Sequence, residues 1–256
     1  MSLGWSRYSV RVGPPSDAQP SFVWFTSVAQ RQPILPGNNV PSTAKSKETS
    51  WTSFDLTAPT PVAVTLNNSA AAVITTAVVL PSKANIGTKI SAGGRTVTFT
   101  VDRPRQICLI LNHNMDSPLC VFADPPEVAP PTGPAPDLIY FGPGVHHIAG
   151  DAINVTANQS VYLAGGAHVY GQVRAHGVQW SGFWVGGAPC DNVRVFGRGV
   201  LDGHQIPIDY RAHAMVELPA CSSIRVEGVT TVDSPQYQLN NLNPGAVINW
   251  SKAIAW

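Results

Sequence analysis

From residue 151 onward the sequence holds seven carboxylates: Asp151, Asp191, Asp202, Asp209, Glu217, Glu227 and Asp233. Paired carboxylates can act as general acid and base, and hydrolysis of a glycosidic bond is one reaction built on them. An inverting mechanism needs two carboxyl groups about 6.5–9.5 Å apart, with room for a water between them. The spacing here makes no such pair visible, so no catalytic residue is assigned. The histidines are His113, His146, His147, His168, His176, His204 and His213. A metal centre wants two or three of them converging from short spacings on one element. His146 and His147 are adjacent, so on a strand they point to opposite faces. No metal site and no cofactor are expected. His204 could reach a sugar, although a plain surface histidine is the favoured reading. Trp180, Trp184, Tyr237, Trp250 and Trp256 could stack on sugar faces; for Trp180 and Trp184, packing is the simpler role. No GxxxxGK[ST] loop and no GxSxG elbow occurs.

These side chains must be positioned by strands. The chain has 256 residues, with 22 Gly and 23 Pro, too many for a helical protein, and no amphipathic helix is evident. Charged residues make up only 12%, against about 25% in an average soluble protein. The net charge of +1 leaves no basic stripe for nucleic acid and no basis for electrostatic membrane contact. No apolar run approaches the roughly 18 residues of a membrane span. The opening "MSLGWSRYSVRVGPPS" lacks the apolar core of a signal peptide. Sequons at Asn67, Asn154, Asn158 and Asn249 lean towards an extracellular setting. No CxxC pair occurs. Cys108 and Cys120 flank a hairpin and could face each other; Cys190 and Cys221 could lie on neighbouring coils. Four buried free thiols are an equal alternative.

"VAVTL" and "RTVTFTVD" alternate with period two, so Val97, Phe99 and Val101 face one side and Thr96, Thr98 and Thr100 the other. "ICLIL" is a run suited to a strand covered on both faces. Short strands of this kind predict a β-sandwich over residues 1–124, with the first fifty or so irregular. "DPPEVAPPTGPAPD" then reads as a semi-rigid linker over residues 125–137. From 138 to 256 the texture changes. Short β-branched strands, each often followed by Gly, recur near Val161, Val193, Ile224 and Val247. The intervals fall in the range of about 20–50 residues that marks stacked repeats. Without helices between them, such strands predict a parallel β-helix, with a second sandwich as the alternative.

The stretches "LCVFADPPE", "DLIYFGPGVHHI", "VYLAGGAHVYGQV" and "VFGRGVLDG" resemble the start of a right-handed β-helix glycoside hydrolase. The order of sandwich then β-helix is similar to the family 49 dextranases and isopullulanases. "SIRVEGVTTVDSPQYQLN" resembles a coil of the family 28 polygalacturonases. The resemblance covers about residues 52–256. It implies an all-β chain that belongs to a polysaccharide-acting hydrolase lineage, with a polysaccharide or oligosaccharide as partner. It makes Asp202 a turn residue that accepts backbone amides, and Asp233 reads the same way. Tyr237 would occupy the aromatic position of its coil and Asn240 a cleft-side polar position. These two are the expected substrate-binding residues.

In those families a strand like "KAIAW" leads into the first catalytic carboxylate, and the paired aspartates follow on later coils. None of these motifs is present. By the resemblance, the chain is expected to stop before its catalytic coils and to be inactive alone, with an open last coil able to self-associate. Two rival classes stand beside this one. The first is a non-catalytic carbohydrate-binding or structural β-helix protein. The second is a β-helix polysaccharide lyase, disfavoured because no calcium-binding cluster of Asp residues is present. The expected location is extracellular.

Overall fold

The computed structural model describes residues 6–28, 47–67, 73–177, 179–181, 184–186, 190–206, 214–219, 221–234, 237–240 and 246–254. They fall into two units, one ending at Glu127 and the other beginning at Val128. Both are built of strands. Among the described residues the one helical segment is a 3-10 turn at Ser82–Ala84, and no helix is long and apolar enough to cross a membrane.

The first unit is a two-layer sandwich. One antiparallel sheet has the order β2 (Gln19–Ser21), β1 (Tyr8–Val12), β5 (Thr60–Leu66), β8 (Thr96–Val101), β7 (Lys89–Ile90). The other has the order β3 (Trp24–Val28), β4 (Lys47–Asp55), β10 (Leu119–Asp124), β9 (Arg105–Leu111), β6 (Ala77–Leu80), with β4 and β10 parallel. Period-two alternation decides what is inside. Val62, Val64, Val97, Phe99 and Val101 of the first sheet share a core with Ile107, Leu109, Leu119 and Val121 of the second. The threonines between them in β8 stay out of that core, as the alternation requires. The first fifty residues are not irregular throughout. Tyr8 and Val10 alternate with polar neighbours and are buried, which makes β1 a paired strand, and β2 and β3 follow it. Cys108 and Cys120 sit opposite each other in the β9–β10 register and form a disulfide.

The second unit is a parallel β-helix. One sheet stacks β11 (Leu138–Phe141), β13 (Ser160–Leu163), β18 (Arg194–Gly197), β22 (Arg225–Glu227) and β25 (Val247–Asn249), all parallel. A second has the order β24 (Leu239–Asn240), β20 (Val216–Glu217), β14 (Ala167–Ala175), β19 (Val200–Asp202), β23 (Thr230–Val232), β26 (Lys252–Ile254), with β12 (Gly144–Val155) also on β14. A short third face pairs β17 (Cys190–Asp191) with β21 (Cys221–Ser222) in parallel. That register brings Cys190 to Cys221, and a second disulfide ties neighbouring coils. The hairpin of β15 (Gln179–Ser181) and β16 (Trp184–Gly186) pairs Trp180 with Val185; the side chains of Trp180 and Trp184 lie outside the described residues.

The coil repeat has a physical marker. Asn158, Asn192 and Ser223 all take positive φ, at 64°, 56° and 51°. Each stands two residues before a strand of the first β-helix sheet, at a corner where Asn tolerates the left-handed region. Asn192 Nδ2 donates to Asn158 Oδ1 at 3.2 Å, so successive corners are laddered. The register aligns Val161, Val195, Val226 and Ile248. Val193 and Ile224 instead precede their strands, although both are buried in the same core.

Candidate functional site

β14 is the strand on which polar chemistry collects. Its alternate residues Ala167, Val169, Val173 and Ala175 point into the β-helix core. The other set, His168, Tyr170, Gln172 and Arg174, therefore lies on the outer face. Outer-face residues of a solenoid are ordinarily wet, yet His168 is 2% exposed and Gln172 4%. Buried polar groups must be satisfied or they cost stability, so the partners of this row define the site.

His168 Nε2–H donates to Asp202 Oδ2 at 2.7 Å. The contact runs diagonally, because the β14–β19 register places His168 opposite Val200 and Tyr170 opposite Asp202. The other carboxylate oxygen of Asp202 accepts the His204 backbone N–H at 2.7 Å. Asp202 thus holds the turn after β19, as expected, and also anchors an imidazole on the neighbouring coil. Tyr170 packs between two histidines. Its ring centroid is 4.6 Å from that of His168, and 4.9 Å from His147, which it stacks at 15°. His147 is exposed and its Nδ1–H donates to Gln205 Oε1 at 3.1 Å. His204 is exposed too, and its Nδ1 lies 3.8 Å from Asp233 Oδ2. Further along the row Arg174 Nε is 3.5 Å from Glu217 Oε2, and the Glu217 side chain is fully buried. Gln172 Oε1 has no hydrogen-bond partner among the described residues.

The result is a two-level arrangement. His147, His204 and Gln205 form a polar rim in solvent. Beneath them Tyr170, His168 and Asp202 form a buried, hydrogen-bonded and stacked support. The rim can donate to and accept from hydroxyl groups. Both buried carboxylates, Asp202 and Glu217, are committed to partners within the strip. Burial, then the Asp202 and Asp233 carboxylates, push the Tyr170 phenol above its ordinary 10.0. The phenol is therefore a standing hydrogen-bond donor at neutral pH.

The same shift sets a pH dependence. The folded state holds the Tyr170 proton more tightly than the unfolded chain does, so its contribution to stability is complete below about pH 10 and is lost as pH rises through the folded value. Tyr8 in the sandwich behaves alike: burial, partly countered by Arg7 and reinforced by Glu48, raises its phenol. We expect difference absorbance to show phenolate transitions above pH 10, one of which disappears in Tyr170→Phe.

Of the two residues expected to bind substrate, Tyr237 is exposed, and its carbonyl accepts the Ser234 hydroxyl at 2.5 Å and the Met215 N–H at 3.0 Å. Asn240 lies on β24, in register with Glu217, and its side chain is outside the described residues. His146 turns away from His147, its Nε2 bonding the Gly142 carbonyl at 2.8 Å. Asp209, His213 and Trp256 lie outside the described residues. The His168–Asp202 pair is not visible in the motifs. The one signal was phase: the pair is separated by 34 positions, the same interval as the Asn158–Asn192 corner ladder.

No family model matches the sequence, and no curated protein matches it. Among solved structures the chain is similar to Dex49A from Penicillium minioluteum, with a TM-score of 0.63 and 17% identity. The likeness covers 97% of this chain and 58% of Dex49A, so the chain spans less than two thirds of that protein's length. At the level of fold the resemblance to the family 49 enzymes holds: a β-sandwich followed by a parallel β-helix is the architecture of this chain.

Proposed function

We propose that the chain is the glycan-engaging part of a β-helix glycoside hydrolase, and that the rim of His147, His204 and Gln205 faces the polysaccharide. The observation that carries this reading is the likeness of 97% of the chain to Dex49A. The polar rim on a stacked support adds to it, because polyols are recognised by hydrogen bonds from pre-positioned groups. The carboxylate pair that hydrolysis needs is proposed to come from outside the described residues, since Asp202 and Glu217 are buried and engaged. Two disulfides favour an oxidising, extracellular compartment. Tyr237 and Asn240 remain proposed contacts further along the strip.

The test titrates the purified chain with isomaltotetraose and tetragalacturonate by calorimetry, and assays dextran for new reducing ends. We expect saturable binding of at least one oligosaccharide, weakened several-fold in His204→Ala and Gln205→Ala, which fits about 1 kcal/mol per lost hydrogen bond. No reducing ends should appear. Binding that is absent, or unchanged in both variants, would sink the rim as a glycan site. Hydrolysis by the chain itself would overturn the placement of the carboxylates.

A further inference from the structure

The outer face of the first sandwich sheet carries a cavity. Alternation leaves Arg11 of β1, Ala63 of β5, Thr98 of β8 and Lys89 of β7 on one register row across four strands. Thr100 and Pro61 form the next row on the same face. A cavity of about 700 Å³ stands over this floor. Both walls are tied down. On one side the loop holding Pro15 and Ala18 is fixed by the Gly13 N–H to the Pro61 carbonyl at 2.9 Å, and by Arg11 donating to the Ala18 carbonyl. On the other, Arg105 donates to the Ala84 carbonyl at 2.8 Å and pairs with Asp102 at 2.7 Å. Ala84 and Ile86 of that wall also pack against the sandwich core. The cavity is thus pre-formed, and its size is that of a small-molecule or oligosaccharide pocket rather than of a single ion.

Its charge is unbalanced. The Asp102 carboxylate is met by Arg105, whereas neither Arg11 nor Lys89 has an ion-pair partner among the described residues. Their strands are three inter-strand spacings apart, about 14 Å, so a ligand that meets both cations is extended. Between them the floor consists of small side chains and the hydroxyls of Thr98 and Thr100, with the Asn85 amide at the wall. Among the described residues no exposed aromatic ring lines the cavity to stack a base. A flat hydroxyl floor between two separated cations matches polyol rings that carry carboxylates.

We propose that this cavity binds an acidic oligosaccharide, with uronate carboxylates on Arg11 and Lys89 and ring hydroxyls on Thr98, Thr100 and Asn85. The site is independent of the β-helix rim. The test measures binding of an alginate tetrasaccharide and of maltotetraose to the full chain by calorimetry. The acidic probe should saturate, weaken about tenfold or more in Lys89→Glu, and lose most of its affinity in 1 M salt, where charges are screened within about 3 Å. Thr98→Trp, which fills the floor without touching a charge, should abolish binding. Lys89 is exposed, so Lys89→Glu should keep the wild-type thermal transition. His204→Ala should leave this binding unchanged, which separates failure here from failure of the rim. No saturable binding, equal binding of maltotetraose, or affinity unchanged in a folded Lys89→Glu each overturns the proposal.

Discussion

Gly197→Ala should cost the β-helix unit about 4 kcal/mol, the sum of backbone strain and overpacking at one position. Gly197 closes β18 at φ +119°, a region that L side chains rarely adopt. A Cβ there would overlap the Leu163 carbonyl oxygen of the preceding coil and lie 2.8 Å from its carbonyl carbon. That carbonyl cannot step aside, because it accepts the N–H groups of Arg198 at 2.8 Å and Gly199 at 2.9 Å. The next coil repeats the constraint at Gly228, whose added Cβ would sit 2.5 Å from the Gly197 oxygen. Gly165→Ala is the control: its Cβ would meet only the Arg198 Cβ, at 3.7 Å. Urea unfolding should show Gly165→Ala within about 0.5 kcal/mol of wild type. Equal stability of the two variants would mean that the coil corner relaxes freely.

Asp202→Ala should cost about 3 kcal/mol, the range for losing a hydrogen bond to a buried carboxylate and leaving its partner unsatisfied. Both side chains are 3% exposed, so solvent does little to screen the loss. The substitution strips His168 of its acceptor and the His204 N–H of its cap together. Asp202→Asn keeps an oxygen for the turn and should cost about half as much. His168→Phe combined with Asp202→Ala should recover part of the loss, because the imidazole is then no longer left buried without its acceptor. A double-mutant cycle read by urea unfolding measures this coupling. Additive costs would mean that His168 and Asp202 act separately, and that the support beneath the rim is packing alone.

Strand faces and coil texture are local properties of the sequence. The period-two stripe of "TVTFT" places Val97 and Phe99 inside and the threonines outside, because a strand's faces alternate whatever it pairs with. The change of texture after the Pro-rich stretch announces parallel coils, since short β-branched strands with Gly corners suit nothing else as well. "YSVRV" carries a weaker signal. Its alternation is short and its partner, β5, lies some fifty residues away, so its pairing is not a local property.

What depends on register was out of reach. Val193 and Val195 are both buried and apolar, and only the corner geometry separates a pre-strand residue from a strand residue. Free thiols and disulfides are indistinguishable until the β9–β10 and β17–β21 registers bring the sulfurs together. His168 and Asp202 each sit in a strand-like motif with an ordinary local reading. They meet because the loops between β14 and β19 have the length that stacks one coil on the next. The sequence by itself determined the strands, their buried faces and the two-part architecture, because these follow from alternation and backbone preference within a few residues. The tertiary structure alone decided the stacked, polar support on β14 and the two cations at the ends of one register row of the first sandwich sheet. Both are made of residues from different strands, and contacts between strands are set by register, which no short stretch encodes.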